Sequence, residues 1–188
     1  MPRRRLGVVA FGGFLLLALA AGAATYRRMS LDALVQGSDY VIYGRVIESR
    51  PLWDPATRMI WTRTEIRVID GPKGQAGITL AVTEPGGILD GVGELYPGTP
   101  QFRADQEVVL FLYRAPGNRV RVTGLQQGVY AVTIDGQTGE RTVTPAAPPP
   151  EIVYEEGSPS ARTLSQQAPG PEKLSRFLYN IRQKAQTR

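Results

Sequence analysis

The residues of this sequence best suited to chemistry are four acids in or beside one segment rich in glycine and proline, residues 84–106. These acids are Glu84, Asp90, Glu94 and Asp105. A pair of carboxylic acids can hydrolyse a glycosidic bond, and carboxylate oxygens could also bind calcium. Residues 25–144 contain thirteen acids, so such a group also arises by chance, and no EF-hand spacing is present. A carboxylate-based hydrolase is therefore the alternative rather than the preferred interpretation, and no metal site is predicted.

Cysteine and histidine are absent from all 188 residues. Their absence excludes disulfides, thiol nucleophiles, imidazole bases, iron–sulfur clusters and the usual Cys/His zinc sites. A serine nucleophile with a lysine base would need Lys73, the one lysine in residues 25–144. Lys73 lies in a Pro-Gly turn, where a lysine is normally solvated. We therefore predict no catalytic residue and no cofactor, and hence a protein that is not an enzyme.

Two tryptophans, Trp53 and Trp61, flank the short connection between the first two predicted strands. Aromatic rings on such a connection can stack on sugars or peptides. Alternatively, they close one end of the hydrophobic core and serve only stability. Tyr96 and Phe102 in residues 84–106 carry the same two interpretations.

The charge of the chain is distributed unevenly. The net charge is +5, but residues 1–24 contribute +3, residues 25–144 are neutral, and residues 145–188 contribute +2. Nucleic-acid binding normally shows a basic patch on the folded domain. The neutral domain therefore predicts no nucleic-acid partner, and an unknown protein or other extracytoplasmic ligand is the expected partner.

The N-terminus is typical of an export signal. Arg3, Arg4 and Arg5 precede an uncharged apolar run over residues 6–24 that ends in small residues. We predict a signal peptide at residues 1–24, cleaved after Ala23 or Ala24, and a periplasmic or extracellular protein. The alternative is an uncleaved anchor, since this run can just span a bilayer.

The remaining sequence predicts strands. Residues 60–69 alternate most clearly, with Ile66 and Val68 on one face and Arg63 and Glu65 on the other. A short helix capped by Ser30 precedes the first strand. The predicted core residues are Ile66, Val68, Leu80, Val109 and Phe111. Strands are predicted at residues 40–48, 60–69, 78–82, 107–113, 119–125, 129–134 and 141–144. Short strands with tight turns predict an all-β domain over residues 25–144, a small antiparallel barrel of five to seven strands.

The C-terminal part contains a linker and a second helix. Residues 145–171 are rich in Pro, Ser, Gln and Gly, without hydrophobic periodicity, which is typical of a linker. Residues 172–186 predict a helix with one apolar stripe, formed by Leu174, Phe177, Leu178 and Ile181. Two interpretations are open: the stripe packs on the barrel, or the tethered helix docks on a partner or a membrane.

Several motifs together resemble a family of uncharacterised secreted bacterial proteins with a netrin/TIMP-type oligonucleotide/oligosaccharide-binding (OB) barrel. The resemblance covers about residues 30–135 and depends on the segments at residues 34–46, 68–74, 85–87, 105–112 and 124–130. Inhibitory netrin/TIMP proteins act through an N-terminal cysteine held by disulfides. This chain has no cysteine, so that mechanism is carried over to no residue.

The resemblance implies a binding site at one end of the barrel. In such a barrel the loop after the first strand and the long loop after the third can approach the same region. The candidate ligand-binding residues are therefore Trp53, Trp61, Tyr96 and Phe102, edged by Asp54, Arg58, Asp90 and Glu94. The expected function is that of a secreted, non-enzymatic binding module. A membrane-tethered envelope component is a further alternative, tethered through residues 6–24 or 172–186.

Overall fold

The computed structural model describes residues 28–146 and 170–186. The predicted signal peptide and most of the predicted linker lie outside these residues. The helices are α1 (Leu31–Gln36), a 3₁₀ helix (Leu125–Gly128) and α2 (Leu174–Gln186). The strands are β1 (Tyr40–Asp54), β2 (Met59–Lys73), β3 (Thr79–Pro85), β4 (Gly87–Leu89), β5 (Val92–Glu94), β6 (Glu107–Ala115), β7 (Arg119–Val122), β8 (Val129–Ile134), β9 (Arg141–Pro145) and β10 (Glu172–Lys173).

Eight strands form one antiparallel sheet in the order β10-β9-β8-β6-β1-β2-β3, with β7 paired to β6 beside this path. Strands β4 and β5 form a separate two-stranded sheet. The predicted all-β class is confirmed, and the strands not predicted are the short β4, β5 and β10. β3 packs beside β7, but no backbone ladder joins these two strands among the described residues.

Strands β1 and β2 form a long hairpin that bends at Gly44. Register shifts lie beside this glycine, between Tyr43 and Gly44 and between Val46 and Glu48. A Cβ atom on Gly44 would lie 2.6 Å from the Arg67 carbonyl oxygen and 2.7 Å from Ile66 Cγ2. Only glycine therefore fits at this position of β1.

The sheet has an apolar core on each face, since alternate residues of one strand point to opposite faces. In β6, Val109 and Phe111 join the core on the side of the helices, whereas Val108, Leu110 and Leu112 join the core on the other side. This double burial explains why residues 108–112 of the predicted strand are apolar without alternation. Of the predicted core residues, Ile66, Val109 and Phe111 are fully buried, and Val68 and Leu80 are half-buried.

Helix α2 packs on the sheet, which settles the alternative left open by the sequence. Its stripe of Leu174, Phe177, Leu178 and Ile181 is buried against Val41, Tyr43, Val109, Phe111 and Val143. The helix begins at Leu174 rather than at residue 172, because Glu172 and Lys173 pair with Val143 and Thr142 of β9. Helix α1 has the predicted cap, in which the Ala33 N–H donates to Ser30 Oγ at 3.1 Å.

Lys73 is a structural residue at the end of α1. Its ammonium group donates to the carbonyl oxygens of Val35 and Ser38, both at 2.6 Å. Carbonyl groups at the C-terminal end of a helix lack intrahelical donors and carry partial negative charge. Lys73 therefore binds the end of α1 to the end of β2 instead of lying in solvent as the turn sequence predicted.

Candidate functional site at the hairpin tip

Two hairpins meet at one end of the domain. The β4–β5 hairpin, absent from the sequence prediction of a plain loop, is bonded to the β1–β2 hairpin at a junction around Ile60. The Gly86 N–H donates to the Ile60 carbonyl at 2.7 Å, and the Ile60 N–H donates to Glu94 Oε2 at 3.0 Å. The Thr62 hydroxyl donates to the Gly86 carbonyl at 2.7 Å. These bonds fix the position of one hairpin on the other.

Gly87 permits this close approach. Its φ is +138°, and a Cβ atom there would lie 2.5 Å from Thr62 Oγ1 and 3.3 Å from Pro51 Cβ. Glycine is the residue that tolerates both the positive φ and the close contact with these side chains. Strand β4 therefore lies directly against Pro51 and Ile60.

Five large apolar side chains on these hairpins are exposed, and we call them the hairpin tip. They are Leu52, Trp53, Ile88, Val92 and Leu95. Ile88, Val92 and Leu95 are 73%, 62% and 81% exposed. Each of the five lies one or two positions from a residue of the junction. Leu52 and Trp53 follow Pro51, Ile88 follows Gly87, and Val92 and Leu95 lie on either side of Glu94. The strand pairing places Leu52 and Trp53 on opposite faces of β1, and Ile88 and Val92 on opposite faces of the β4–β5 hairpin. The tip is thus a group of exposed apolar side chains on two hairpins joined by hydrogen bonds.

Trp61 does not belong to this surface. It is 7% exposed, and its indole N–H donates to Thr57 Oγ1 at 2.8 Å. The Arg119 guanidinium lies over the Trp61 ring at 4.1 Å from the centroid, and that of Arg121 lies at 5.6 Å. Trp61 therefore stabilises the contact between β2 and β7, whereas Trp53 is 52% exposed.

The other predicted aromatic residues are also divided. The Tyr96 ring lies beside Gly86, where a Cβ atom would approach Tyr96 Cδ2 to 3.2 Å. Phe102 is half-buried against the core on the sheet face away from the helices. The structure thus brings Trp53 and Tyr96 to the junction and places Trp61 and Phe102 in packing positions.

The predicted charged residues have three different roles. Asp54 pairs with Arg119, and it accepts from the Thr57 hydroxyl at 2.8 Å and the Ala56 N–H at 3.0 Å. The bond from Thr57, supported by those from Ala56 and Arg119, holds the pKa of Asp54 below its usual value despite the opposing effect of burial.

Glu94 is a junction residue. Arg58 and Asp90 lie in the turns of the two hairpins with φ of +54° and +50°, and both are exposed. Neither forms an ion pair with any residue the structure describes.

The sequence analysis missed four members of the tip: Leu52, Ile88, Val92 and Leu95. A signal existed in residues 84–106, because large aliphatic residues are unusual in an exposed segment rich in glycine. Leu52 carried no such signal, since it continues a predicted strand whose length was underestimated.

Glu84, one of the candidate acids, lies in β3 and bonds to two residues of β7. Its buried carboxylate accepts from the Val122 N–H at 2.6 Å and from Arg121 Nη2 at 3.0 Å. Burial raises the pKa of Glu84, and the bonds from Val122 and Arg121 act in the opposite direction. The Glu84 carboxylate thus accepts a hydrogen bond from a backbone N–H of β7. This bond connects β3 to β7, although no backbone ladder joins these two strands in the described part of the chain.

A second buried acid, Glu107, connects three strands. It accepts from the Tyr43 hydroxyl at 2.5 Å, Arg45 Nη2 at 2.6 Å and Arg141 Nε at 3.0 Å. Burial acts to raise the pKa of Glu107, but the three donors together outweigh it and hold this pKa at about 2. Burial, followed by the bond to Glu107, raises the pKa of Tyr43 to about 12.

An open groove of about 630 Å³ lies beside Tyr43 and α2. Its charged lining residues are Asp70, Glu140, Arg141, Lys173 and Arg182. Arg182 pairs with Asp70, Lys173 with Glu140, and Arg141 with Glu107. Because each of these cations already pairs with an acid, none of the three is an unpaired positive charge for an incoming anionic ligand.

Comparison with known proteins identifies no relative: no protein-family model matches this sequence, and no curated protein matches it. The resemblance to the netrin/TIMP-type barrel therefore stays a prediction. Within residues 28–146 and 170–186, no helix is both long and apolar enough to cross a membrane. Over the same residues, no group of three or more acids is placed to hold a metal ion.

Proposed function

We propose that this protein is an exported, non-enzymatic binding module that recognises a protein partner through the hairpin tip. The observation that carries the proposal is the exposure of five large apolar side chains on two hairpins braced by hydrogen bonds. Large apolar side chains that stay exposed on a folded domain are candidates for contact with a partner. Recognition residues are commonly borne by loops on a rigid scaffold.

A protein partner fits the tip better than a membrane does. Both hairpin turns contain a charged residue, Arg58 in one and Asp90 in the other. Inserting the tip into a bilayer would carry these charges toward the hydrocarbon, which is costly. A protein–protein interface, in contrast, commonly combines exposed apolar side chains with charged ones.

Two of the four acids that a hydrolase would use are engaged in other contacts. Glu84 bonds to Val122 and Arg121, and Glu94 bonds to the Ile60 N–H. These contacts support the binding module over the carboxylate-based hydrolase.

Export and the OB-like barrel are parts of the same proposal. The order of arginines, apolar run and small residues at the N-terminus supports export with cleavage after Ala23 or Ala24. Mass spectrometry of the exported protein tests it, since a start at Ala24 or Thr25 is expected and an intact Met1 contradicts cleavage. The packing of β3 beside β7, bridged by Glu84, supports a barrel of the OB type.

Photo-crosslinking in the producing cell tests the tip directly. A photo-reactive amino acid is placed at Leu95 in one variant and at Ile78 in a matched control. Ile78 is 84% exposed, like Leu95, but it lies between β2 and β3 at the other end of β2. We expect a discrete adduct from position 95 and none from position 78. Equal labelling at both positions, or none at 95, contradicts the proposal.

A further inference from the structure

We propose that Arg45, Arg67 and Arg141 bind the phosphate group of a small molecule. We call these three residues the arginine cluster. The site is separate from the hairpin tip, and the inference does not depend on the proposed function. It depends on the strand registers, which bring the arginines together, and on the acids that pair with them.

The strand registers place the arginine cluster around one carboxylate. Arg45 of β1 pairs with Arg67 of β2 on one side and with Glu107 of β6 on the other. Directly paired residues of antiparallel strands share a face, with their Cβ atoms about 4.5–5.5 Å apart. Arg141 of β9 reaches the same place, because its Nε donates to Glu107 Oε2 at 3.0 Å. All three arginines therefore lie on one face of the sheet, close to Glu107.

This face is the one that also carries α2, and the cluster lies at its open part. Tyr43 is two residues before Arg45, so both side chains point to the same face of β1. Tyr43 belongs to the core under the helix. The side chains of Arg45 and Arg141 are 47% and 41% exposed, and Arg67 is exposed as well. A ligand in solution can therefore reach all three guanidinium groups.

Like charges oppose each other three times across β1 and β2, and directly opposite like charges destabilise a sheet. The three pairs are Arg45 with Arg67, Glu48 with Glu65 and Arg50 with Arg63. The last two pairs compensate each other along the strands. Arg50 bonds to Glu48 at 2.7 Å, and Arg63 bonds to Glu65 at 3.3 Å. These four charges therefore sum to zero.

The pair of Arg45 and Arg67 has no such compensation. Arg67 forms no ion pair anywhere in residues 28–146 or 170–186. The next acid after it in β2, Asp70, is bound to Arg182. The fold thus holds an unpaired cation directly opposite another arginine.

The acid beside Arg45 does not supply the missing charge, because Glu107 is shared between Arg45 and Arg141. With a pKa of about 2, Glu107 carries one negative charge at pH 7. Tyr43 is neutral at this pH, since its pKa is about 12. Three arginines and one carboxylate therefore leave a net charge of +2 at this position.

A phosphate group matches this excess charge. A phosphate monoester carries about −1.5 to −2 at pH 7, whereas a carboxylate carries a single negative charge. Guanidinium groups present several N–H donors in a plane, a geometry that suits phosphate oxygens. Glu107 accepts from one nitrogen of Arg45 and one of Arg141. The cluster therefore combines the charge and the donors that a phosphate group requires.

The groove beside α2 adjoins the cluster and has room for the rest of a phosphorylated molecule. Arg141 and Tyr43 line this groove, and so does Ile69, two residues after Arg67. Ile69 is 52% exposed and offers an apolar contact. The volume of about 630 Å³ is in the usual range for small-molecule sites. A phosphate on the cluster can thus extend its organic group into the groove.

Isothermal titration calorimetry of the exported, full mature chain tests the site at low ionic strength, where exposed charges are least screened. The probes are inorganic phosphate, phenyl phosphate and acetate. We expect inorganic phosphate to bind, and acetate to bind at least about tenfold more weakly because of its lower charge. Tighter binding of phenyl phosphate than of inorganic phosphate assigns an organic phosphate whose organic group occupies the groove. Equal affinities assign free phosphate.

Arg67→Gln is the decisive variant, with Arg63→Gln as its matched control. Arg67→Gln should weaken phosphate binding by at least about tenfold, since it removes a charge-assisted contact. It should unfold at the same or a slightly higher urea concentration, because the repulsion from Arg45 is removed. Arg63→Gln removes the same charge from the same face of β2, but Arg63 is already paired with Glu65. Its phosphate affinity should stay within about twofold of the original.

Several results would overturn the inference. They are the absence of phosphate binding, acetate binding as tight as that of phosphate, and unchanged phosphate affinity in Arg67→Gln. Equal losses in Arg67→Gln and Arg63→Gln would show attraction to positive charge in general rather than a site. None of these results alters the crosslinks expected from position 95, so the hairpin tip is tested separately.

Discussion

Trp53 and Trp61 lie on opposite faces of the β1–β2 hairpin. In the observed register, Trp53 pairs with Ile60 and Leu52 pairs with Trp61. Directly paired residues share a face, and consecutive residues alternate, so the two indoles cannot contribute to one aromatic site. Trp61 lies below Arg119 and Arg121, and Trp53 faces the side of the β4–β5 hairpin.

This separation predicts different effects of the two tryptophans on stability. Trp61→Ala removes a buried ring and its cation–π contacts with Arg119, and we expect a loss of about 3 kcal/mol or more in the free energy of unfolding. Trp53→Ala removes a half-exposed ring and should cost under about 1 kcal/mol. Urea unfolding of both variants measures the difference. Equal losses would show that the register or the assignment of faces is wrong.

Glu107 should make the stability of the domain depend on acid pH. Its pKa of about 2 in the folded protein lies below the ordinary value near 4.5. The ionised group therefore stabilises the fold fully above pH 4.5, and this contribution is lost as the pH falls toward 2. We expect Glu107→Gln to be less stable than the original protein at pH 7 by on the order of 2–3 kcal/mol, with the gap closing on acidification.

The matched control for this experiment is Glu140→Gln. Glu140 also pairs with a cation, Lys173, but both side chains are largely exposed. Such pairs contribute little, so the control should differ from the original protein by under about 1 kcal/mol at each pH. A gap for Glu107→Gln that stays constant from pH 7 to pH 3 would contradict the role assigned to its charge.

Glu84 tests whether a side-chain carboxylate holds β3 to β7. Glu84→Ala leaves the buried Val122 N–H without its acceptor, and we expect a loss of about 2–3 kcal/mol in urea unfolding. Glu84→Gln keeps an oxygen for Val122 and removes a charge that burial disfavours, as the raised pKa of Glu84 indicates. Its loss should be about 1 kcal/mol. If the two variants lose the same stability, the oxygen that accepts from Val122 is not what matters.

Short-range patterns were sufficient to predict much of this fold. The alternation at Ile66 and Val68, the apolar run around Phe111 and the stripe of α2 each depend on residues within one element. The register of β1 on β2 depends instead on bulges beside Gly44 and on contacts from other strands. Without that register, Trp53 and Trp61 seemed to form one site because they are close in sequence.

The hairpin tip was only partly predictable for the same reason. The sequence placed Trp53 and Tyr96 in connections that could meet, and the structure brings both to the junction. The exposed aliphatic residues depend on the β4–β5 hairpin, which is held by the side chain of Glu94 and the positive φ of Gly87. Such long-range bonds leave no periodic pattern in the sequence, so Ile88 and Leu95 were assigned to a plain loop.

The packing of α2 gives a final prediction with a matched control on one helix. Phe177 and Tyr179 are two residues apart, but the first is buried against Phe111 and Tyr130 and the second is exposed. Phe177→Ala should reduce the free energy of unfolding by about 3–5 kcal/mol, since it leaves a cavity under the helix. Tyr179→Ala should change it by under about 0.5 kcal/mol. Urea unfolding of the full mature chain provides both values. If α2 were only a tethered segment free to dock on a partner, both variants would unfold like the original protein, because neither ring would contribute to the core.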